Sequence, residues 1–203
     1  MKTITVAITG ASGAIYAQRL LAELERSAEV GRVHLVVSAP GRRVLAEELD
    51  LTGSGETLVE GLAGRPAEKI ELLPATDVGA SIASGSYRVD GMIVVPCSVS
   101  TVGALASGAV TNLIHRAADV TLKEGRPLVL VPRETPLHAI HLENLLRLRN
   151  AGAMIVPATP GFYHRPRTIE ELVDHFVFRL MDHLGLDHDR STAWTGGKRR
   201  TEV

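Results

Sequence analysis

Short runs of β-branched and aliphatic residues alternate along the chain with longer stretches in which apolar positions recur every three or four residues. The first run, TITVAIT at 3–9, reads as a strand and stops at Gly10. Residues 14–28 follow with Ile15, Leu20, Leu21 and Leu24 on one stripe, the period of an amphipathic helix. The alternation continues with a strand at 33–38, a helix near 42–49 and a short strand at 69–73. GMIVV at 91–95 is a strong buried strand, ended by Pro96, and two helices follow near 101–107 and 112–124. A strand at 127–131, a helix at 137–151 and a strand at 153–156 come next. The last helix starts after Thr168 as N-cap, with Glu171 at the capping-box position, and runs to about Leu184 before Gly185. Residues 53–64 carry no recognisable motif.

Six strands interleaved with helices predict a parallel sheet covered on both faces, an α/β/α sandwich. No repeat or linker divides the chain, so one domain over residues 1–190 and a tail at 191–203 are expected. The hydrophobic fraction of 45% is mostly aliphatic, only 3% of residues being aromatic, which suits strands buried on both faces. A formal net charge of −1 gives no field that would favour nucleic acid. No apolar run is long enough to span a bilayer, and Cys97 has no second cysteine to pair with. No leader-like run precedes the first strand, so a cytoplasmic location is expected.

Open parallel sheets bind ligands beyond the carboxyl ends of their strands, and four groups fall there. Gly10-Ala11-Ser12-Gly13 joins the first strand to the first helix. It is either a plain turn or a cradle in which helix N–H groups and the Ser12 hydroxyl meet a phosphate. It is neither GxGxxG nor a Walker loop. Cys97-Ser98-Val99-Ser100-Thr101 offers three hydroxyls at a helix start, for capping or for a phosphate or flavin edge. Cys97 has no evident His or Asn partner and reads as a buried cysteine. Arg133 follows a strand directly, a good position for an anion clamp. Arg116 and Lys123 are two turns apart on one helix face, which could equally be solvated. Gly161-Phe162-Tyr163-His164 puts scarce aromatics in a strand-end loop. Arg179 reads as a surface residue from pattern alone. His138 and His141 have metal-ligand spacing without a third convergent ligand, and no Asp-rich cluster of the magnesium–diphosphate kind is present.

Taken together these segments are specific. GASG-x-x-Tyr-x-x-Arg-Leu-Leu at 10–21, Ser84-Gly85-Ser86, Pro96-Cys97-Ser98 and Asn112-Leu113-Ile114-x-Arg116-Ala117-Ala118-Asp119-Val120 occur in order. Leu122-Lys123-Glu124, Pro132-Arg133-Glu134-Thr135-Pro136, Ile140-His141-Leu142-Glu143-Asn144 and Pro160-Gly161-Phe162-Tyr163 follow. The chain closely resembles the UbiX-type flavin prenyltransferase family from Ile4 to about Trp194. The resemblance implies a Rossmann-like fold with strand order 3-2-1-4-5-6, and alkylation of reduced FMN by dimethylallyl monophosphate without a metal. It implies that the prenylated FMN serves a UbiD-type decarboxylase, and that the chain forms a homo-dodecamer.

By the same resemblance Gly10, Ala11, Ser12, Ser38, Ser98, Val99, Ser100, Thr101 and Arg133 would hold FMN. Arg116, Lys123, Tyr163 and Arg179 would hold the prenyl phosphate, and Lys123 would also act in catalysis with Ser12. Glu48 and Glu134 match acidic residues that assist proton handling, and Trp194 matches a tail aromatic near the site. Two other readings stand beside this one. A flavin-dependent decarboxylase, or its accessory subunit, would carry a catalytic histidine after an early helix and an Asn-rich loop, and neither is in register here. A flavodoxin-like carrier would be strongly acidic with aromatics flanking the flavin, unlike this near-neutral, aromatic-poor chain.

Overall fold

The first apolar run forms β1 (Lys2–Ile8), buried from Ile4 onward, at the centre of a computed structural model that describes residues 1–188. The sheet has six strands, all in parallel pairs, in the order β3-β2-β1-β4-β5-β6. The others are β2 (Val30–Val37), β3 (Ile70–Leu73), β4 (Gly91–Cys97), β5 (Leu128–Pro132) and β6 (Met154–Ile155). Ile4 pairs with Gly91 and Val6 with Ile93, so strand order reverses between β1 and β4.

Strand side chains alternate between two cores. Ile4, Val6 and Ile8 pack with Leu20, Leu21 and Leu24 of α1 (Ala14–Arg26) and with Val173, Val177 and Leu180 of α7 (Ile169–His183). Leu45 of α2 (Ala39–Leu49) and Leu58 and Leu62 of α3 (Gly55–Ala63) complete that layer. On the other face Ala7, Met92, Val94 and Leu130 meet Val102 of α4 (Val99–Ser107), Leu113, Ile114 and Ala117 of α5 (Leu113–Lys123), and Leu148 of α6 (Ala139–Asn150).

The predicted architecture and strand order are those observed. Three local expectations change. Residues 55–63 form a helix that carried no motif, because Leu58, Val59 and Leu62 bury one face. Pro96 does not end β4, which runs on to Cys97 across a register shift after Val94, where the ladder no longer needs the missing N–H. Thr168 caps α7 by accepting from the Glu171 amide at 3.1 Å, but the Glu171 carboxylate takes the Arg167 amide, one residue before the cap. Among the described residues no helix is long and apolar enough to cross a membrane. The boundary expected at 190/191, and Trp194, lie outside the described residues.

Candidate active site at the strand-order reversal

Three helices begin at the carboxyl edge of the central strands: α1 after β1, α2 after β2 and α4 after β4. At the first, Gly13 has φ of 114°, a conformation open chiefly to glycine, and it offers no side-chain cap. Gly10 lies against α2 so closely that a Cβ there would sit 2.4 Å from Pro40 Cβ. The free N–H groups of α1 are met by an acid from α2. Glu48 Oε2 accepts from Gly13 at 2.9 Å and from Ala14 at 2.8 Å, and Oε1 accepts from Gly13 at 3.2 Å. Burial favours the neutral form of Glu48, but the Ser12 hydroxyl, these two amides and Arg133 outweigh it and hold the carboxyl below its ordinary value. A carboxylate of the chain itself thus sits at this helix start.

The neighbouring helix starts are capped by the serines singled out in the sequence. Ser38 accepts from the Gly41 amide at 3.0 Å, and Ser98 accepts from the Thr101 amide at 3.2 Å and bonds its hydroxyl at 3.0 Å. Thr9 stitches the two central strands, donating to Pro96 O at 2.9 Å and accepting from Ser98 N at 2.8 Å. Arg133, beyond β5, donates from Nε to Ser12 O at 3.3 Å and so touches the glycine turn. Glu134, next to it, accepts from the Thr135 amide at 3.0 Å. Val99 and Ser100 occupy the first turn of α4. Gly10–Gly13, Ser38, Glu48, Ser98–Thr101 and Arg133 therefore come together at one edge of the sheet. Cys97 is fully buried, its thiol pushed up to about 12 by burial, which leaves it no part as a nucleophile.

The remaining cations do not join this group within one chain. Arg116 donates to Ala83 O at 3.0 Å and pairs with Asp119 at 3.2 Å. Lys123 pairs with Glu124 at 2.6 Å beside the Ser84–Ser86 turn, whose Gly85 carbonyl takes Arg126 at 2.8 Å. Arg179 pairs with Asp182 at 2.6 Å on the exposed side of α7. Lys123 ends the helix that feeds the start of β5, and the turn after Arg179 meets Lys2 at the start of β1. Both thus lie toward the amino edge of the sheet, away from Ser12. Arg116 and Lys123 flank one face of the sheet and Arg179 the other. Phe162 and Tyr163 are exposed in the loop after β6, where the Tyr163 hydroxyl lies 3.0 Å from His175 Nε2. His138 caps α6 and stacks on His141.

Residue patterns alone missed several contacts. Arg19 and Asp174 form a two-bond ion pair, at 2.7 and 2.8 Å, that ties α1 to α7, and Tyr16 packs on Phe176 beside it. Arg126 holds the Ser84–Ser86 turn and the residue after it through the Gly85 and Tyr87 carbonyls. His175 carried one usable signal, an imidazole on the buried stripe of an amphipathic helix.

The family model described as Flavoprotein matches residues 1–180. A flavin prenyltransferase UbiX of Alkalihalophilus pseudofirmus is 47% identical over 194 residues, covering 95% of this chain and 96% of that protein. The flavin prenyltransferase UbiX of Pseudomonas aeruginosa is 46% identical, over 94% of this chain and 93% of its own. Among solved structures, AnUbiX in complex with FMN and dimethylallyl pyrophosphate superposes with a TM-score of 0.82 at 42% identity, over 95% of this chain and 98% of that one. A dodecameric FMN-dependent UbiX-like decarboxylase from Escherichia coli gives 0.84 at 42% identity, over 96% of this chain and 100% of that one. The cysteine decarboxylase TvaF, at 16% identity and a TM-score of 0.59, shares the fold alone. With this identity over nearly its whole length, and with its glycine turn, serine caps and Arg133 gathered where the strand order reverses, the chain belongs to the UbiX-type flavin prenyltransferases of the Flavoprotein family.

Proposed function

We propose that this chain transfers the dimethylallyl group of dimethylallyl monophosphate to reduced FMN, releasing phosphate and making prenylated FMN for a UbiD-type decarboxylase. The observation that carries the reading is the Glu48 carboxylate seated on the Gly13 and Ala14 amides beside Ser12 and Arg133. Around it stand three helix N-termini, serine hydroxyls and one guanidinium, donors suited to a phosphorylated flavin, with the Gly13 and Ala14 amides taken by Glu48 itself. Gly10, Ala11, Ser12, Ser38, Ser98, Val99, Ser100, Thr101 and Arg133 hold the FMN. Reduced FMN supplies, when bound, the electron-rich ring nitrogen and neighbouring carbon that the prenyl group joins.

Ser12 and Glu48 share a proton at Ser12 Oγ, where the carboxylate can draw it toward itself or return it. The bond from the prenyl carbon to the phosphate oxygen breaks with its electron pair on phosphate. Arg116, Lys123, Tyr163 and Arg179 stabilise that leaving charge by hydrogen bonds and ion pairing. When the second bond closes, the prenyl double bond is consumed, one of its carbons joining the ring and the other taking up a proton, while Glu134 takes the proton the ring carbon releases. No oxidant is consumed.

Because the cations lie apart within one chain, the working site is shared between copies in a homo-dodecamer, each site completed by neighbouring chains. The exposed apolar side chains of α6, Ile140, Leu142 and Leu146, support an oligomer that covers them. Residues 1–190 act as one flavoprotein domain with the tail at 191–203 appended. A cytoplasmic location agrees with a single cysteine that has no disulfide partner. The E. coli neighbour described as a decarboxylase motivates a competing reading, FMN-dependent decarboxylation. Phosphate release from the monophosphate donor under strict anaerobiosis separates the two. It should require both reduced FMN and the prenyl donor; a diphosphate donor would release pyrophosphate instead. Carbon dioxide release from an added acid without any prenyl donor would overturn the proposal.

A further inference from the structure

Tyr163 is 62% exposed, yet its hydroxyl turns back to His175, which is 7% exposed on the inner face of α7. The rings meet edge to face at 5.3 Å, and His164 stacks on His175 at 4.1 Å with 12° between the planes. The imidazole is therefore fixed in orientation by two loop side chains, with Nε2 aimed at one oxygen.

A phenol has one hydrogen to give. If Nε2 of His175 is bare, it takes that hydrogen, and Tyr163 turns only lone pairs toward an incoming anion. If Nε2 carries a proton, it donates to the phenol oxygen, and the Tyr163 hydrogen no longer goes to the ring and can turn to an anion. We propose that His175 is a positioning residue for the donor phosphate, its protonation deciding whether the Tyr163 hydroxyl gives its hydrogen to the ring or to a phosphate oxygen. This rests on the reading of Tyr163 as a ligand of the prenyl phosphate.

The charges around the ring set the direction. Tyr163 and His164 face it from the loop, and Arg179 lies one turn along α7. On the α1 side, Arg19 is tied to Asp174, and Glu171, one turn back, takes the Arg167 amide. Burial, then His164 and Arg179, hold His175 below the usual histidine value, so the ring is neutral near neutral pH without ligand. A phosphate brought to Tyr163 adds negative charge beside the ring and draws a proton onto it. Phosphate binding and His175 protonation are thus linked, and the contribution of His175 to binding weakens as pH rises.

Radiolabelled inorganic phosphate and equilibrium dialysis, on the full chain in its native assembly, test this between about pH 5 and 8. Affinities are expressed relative to His175→Phe at each pH, which cancels the ionisation of phosphate itself. The wild type should bind about tenfold better than H175F at the acid end, the size of one charge-assisted hydrogen bond, and the ratio should fall toward one with rising pH. Tyr163→Phe should match H175F, and the double variant should be no weaker than either. His175→Gln, whose amide donates at every pH, should recover most of the affinity without the pH dependence. In turnover, H175F should raise KM for the donor and leave FMN affinity unchanged. Equal phosphate binding by wild type and H175F at every pH, or additive losses in the double variant, would overturn the proposal. Absence of prenyl transfer by the wild type would instead remove the functional reading, while the phosphate comparison still decides the role of His175.

Discussion

At Glu48 the surroundings reverse what burial alone would do. Desolvation favours the neutral acid, but the Ser12 hydroxyl, the Gly13 and Ala14 amides and Arg133 favour the carboxylate and win. A folded pKa below the unfolded one means the unfolded chain binds the proton more readily. The interaction therefore stabilises the fold above the unfolded pKa and is lost as pH falls through the depressed folded value. Glu48→Gln should be less stable than wild type at neutral pH, with the difference closing in acid, measured by urea unfolding across pH. A constant difference at all pH values would contradict this account. At Cys97, a thiol pushed up to about 12 and fully buried should resist iodoacetamide in the native protein and react once unfolded. Rapid native alkylation would show that the thiol is accessible. Ser98 was legible as a cap candidate because cap chemistry is local, whereas Ser38 entered through the family resemblance. Glu48 was not legible from its pattern, since a glutamate on an amphipathic helix looks solvated until α2 is laid against the start of α1. Its role came from the family resemblance alone.

The elements that make the site depend on close approach. Gly10 separates the β1–α1 turn from Pro40 at the head of α2, and a Cβ there meets Pro40 Cβ at 2.4 Å. Gly10→Ala should cost about 1–3 kcal/mol, as overpacking does, and should weaken FMN binding together with stability. Unfolding and flavin titration of the same variant check both, and unchanged values in each would mean that the contact relaxes freely. The strands were legible because buried parallel strands announce themselves as unbroken aliphatic runs, as in GMIVV. α3 was not, because its nine residues include Gly55 and Gly61, poor helix formers, and its helicity comes from Leu58, Val59 and Leu62 packing on the sheet. β6, one of the two edge strands, is shorter than its apolar run, although Val156 N still donates to Leu130 O at 2.9 Å. Strand order itself was carried by the resemblance, since alternation predicts a parallel sheet without saying where the order reverses.

At the scale of the whole molecule, the glycine turn is complete within a chain while Arg116, Lys123 and Arg179 are each occupied elsewhere by an acid. Motif order could name these residues but could not say that one chain keeps them apart. That follows only from the positions of α5 and α7 on opposite faces of the sheet. If sites are shared between copies, Ser12→Ala and Arg179→Ala chains, each inactive alone, should regain part of wild-type activity when co-assembled. No recovery in verified mixed assemblies would mean that each site is built from a single chain. The central claim is tested most directly by the mass of the flavin itself. Incubated anaerobically with reduced FMN and dimethylallyl monophosphate, the protein should yield an extracted flavin heavier by one five-carbon isoprene unit, and Ser12→Ala should not. An unchanged flavin mass after complete, oxygen-free incubation with wild-type protein would contradict the account.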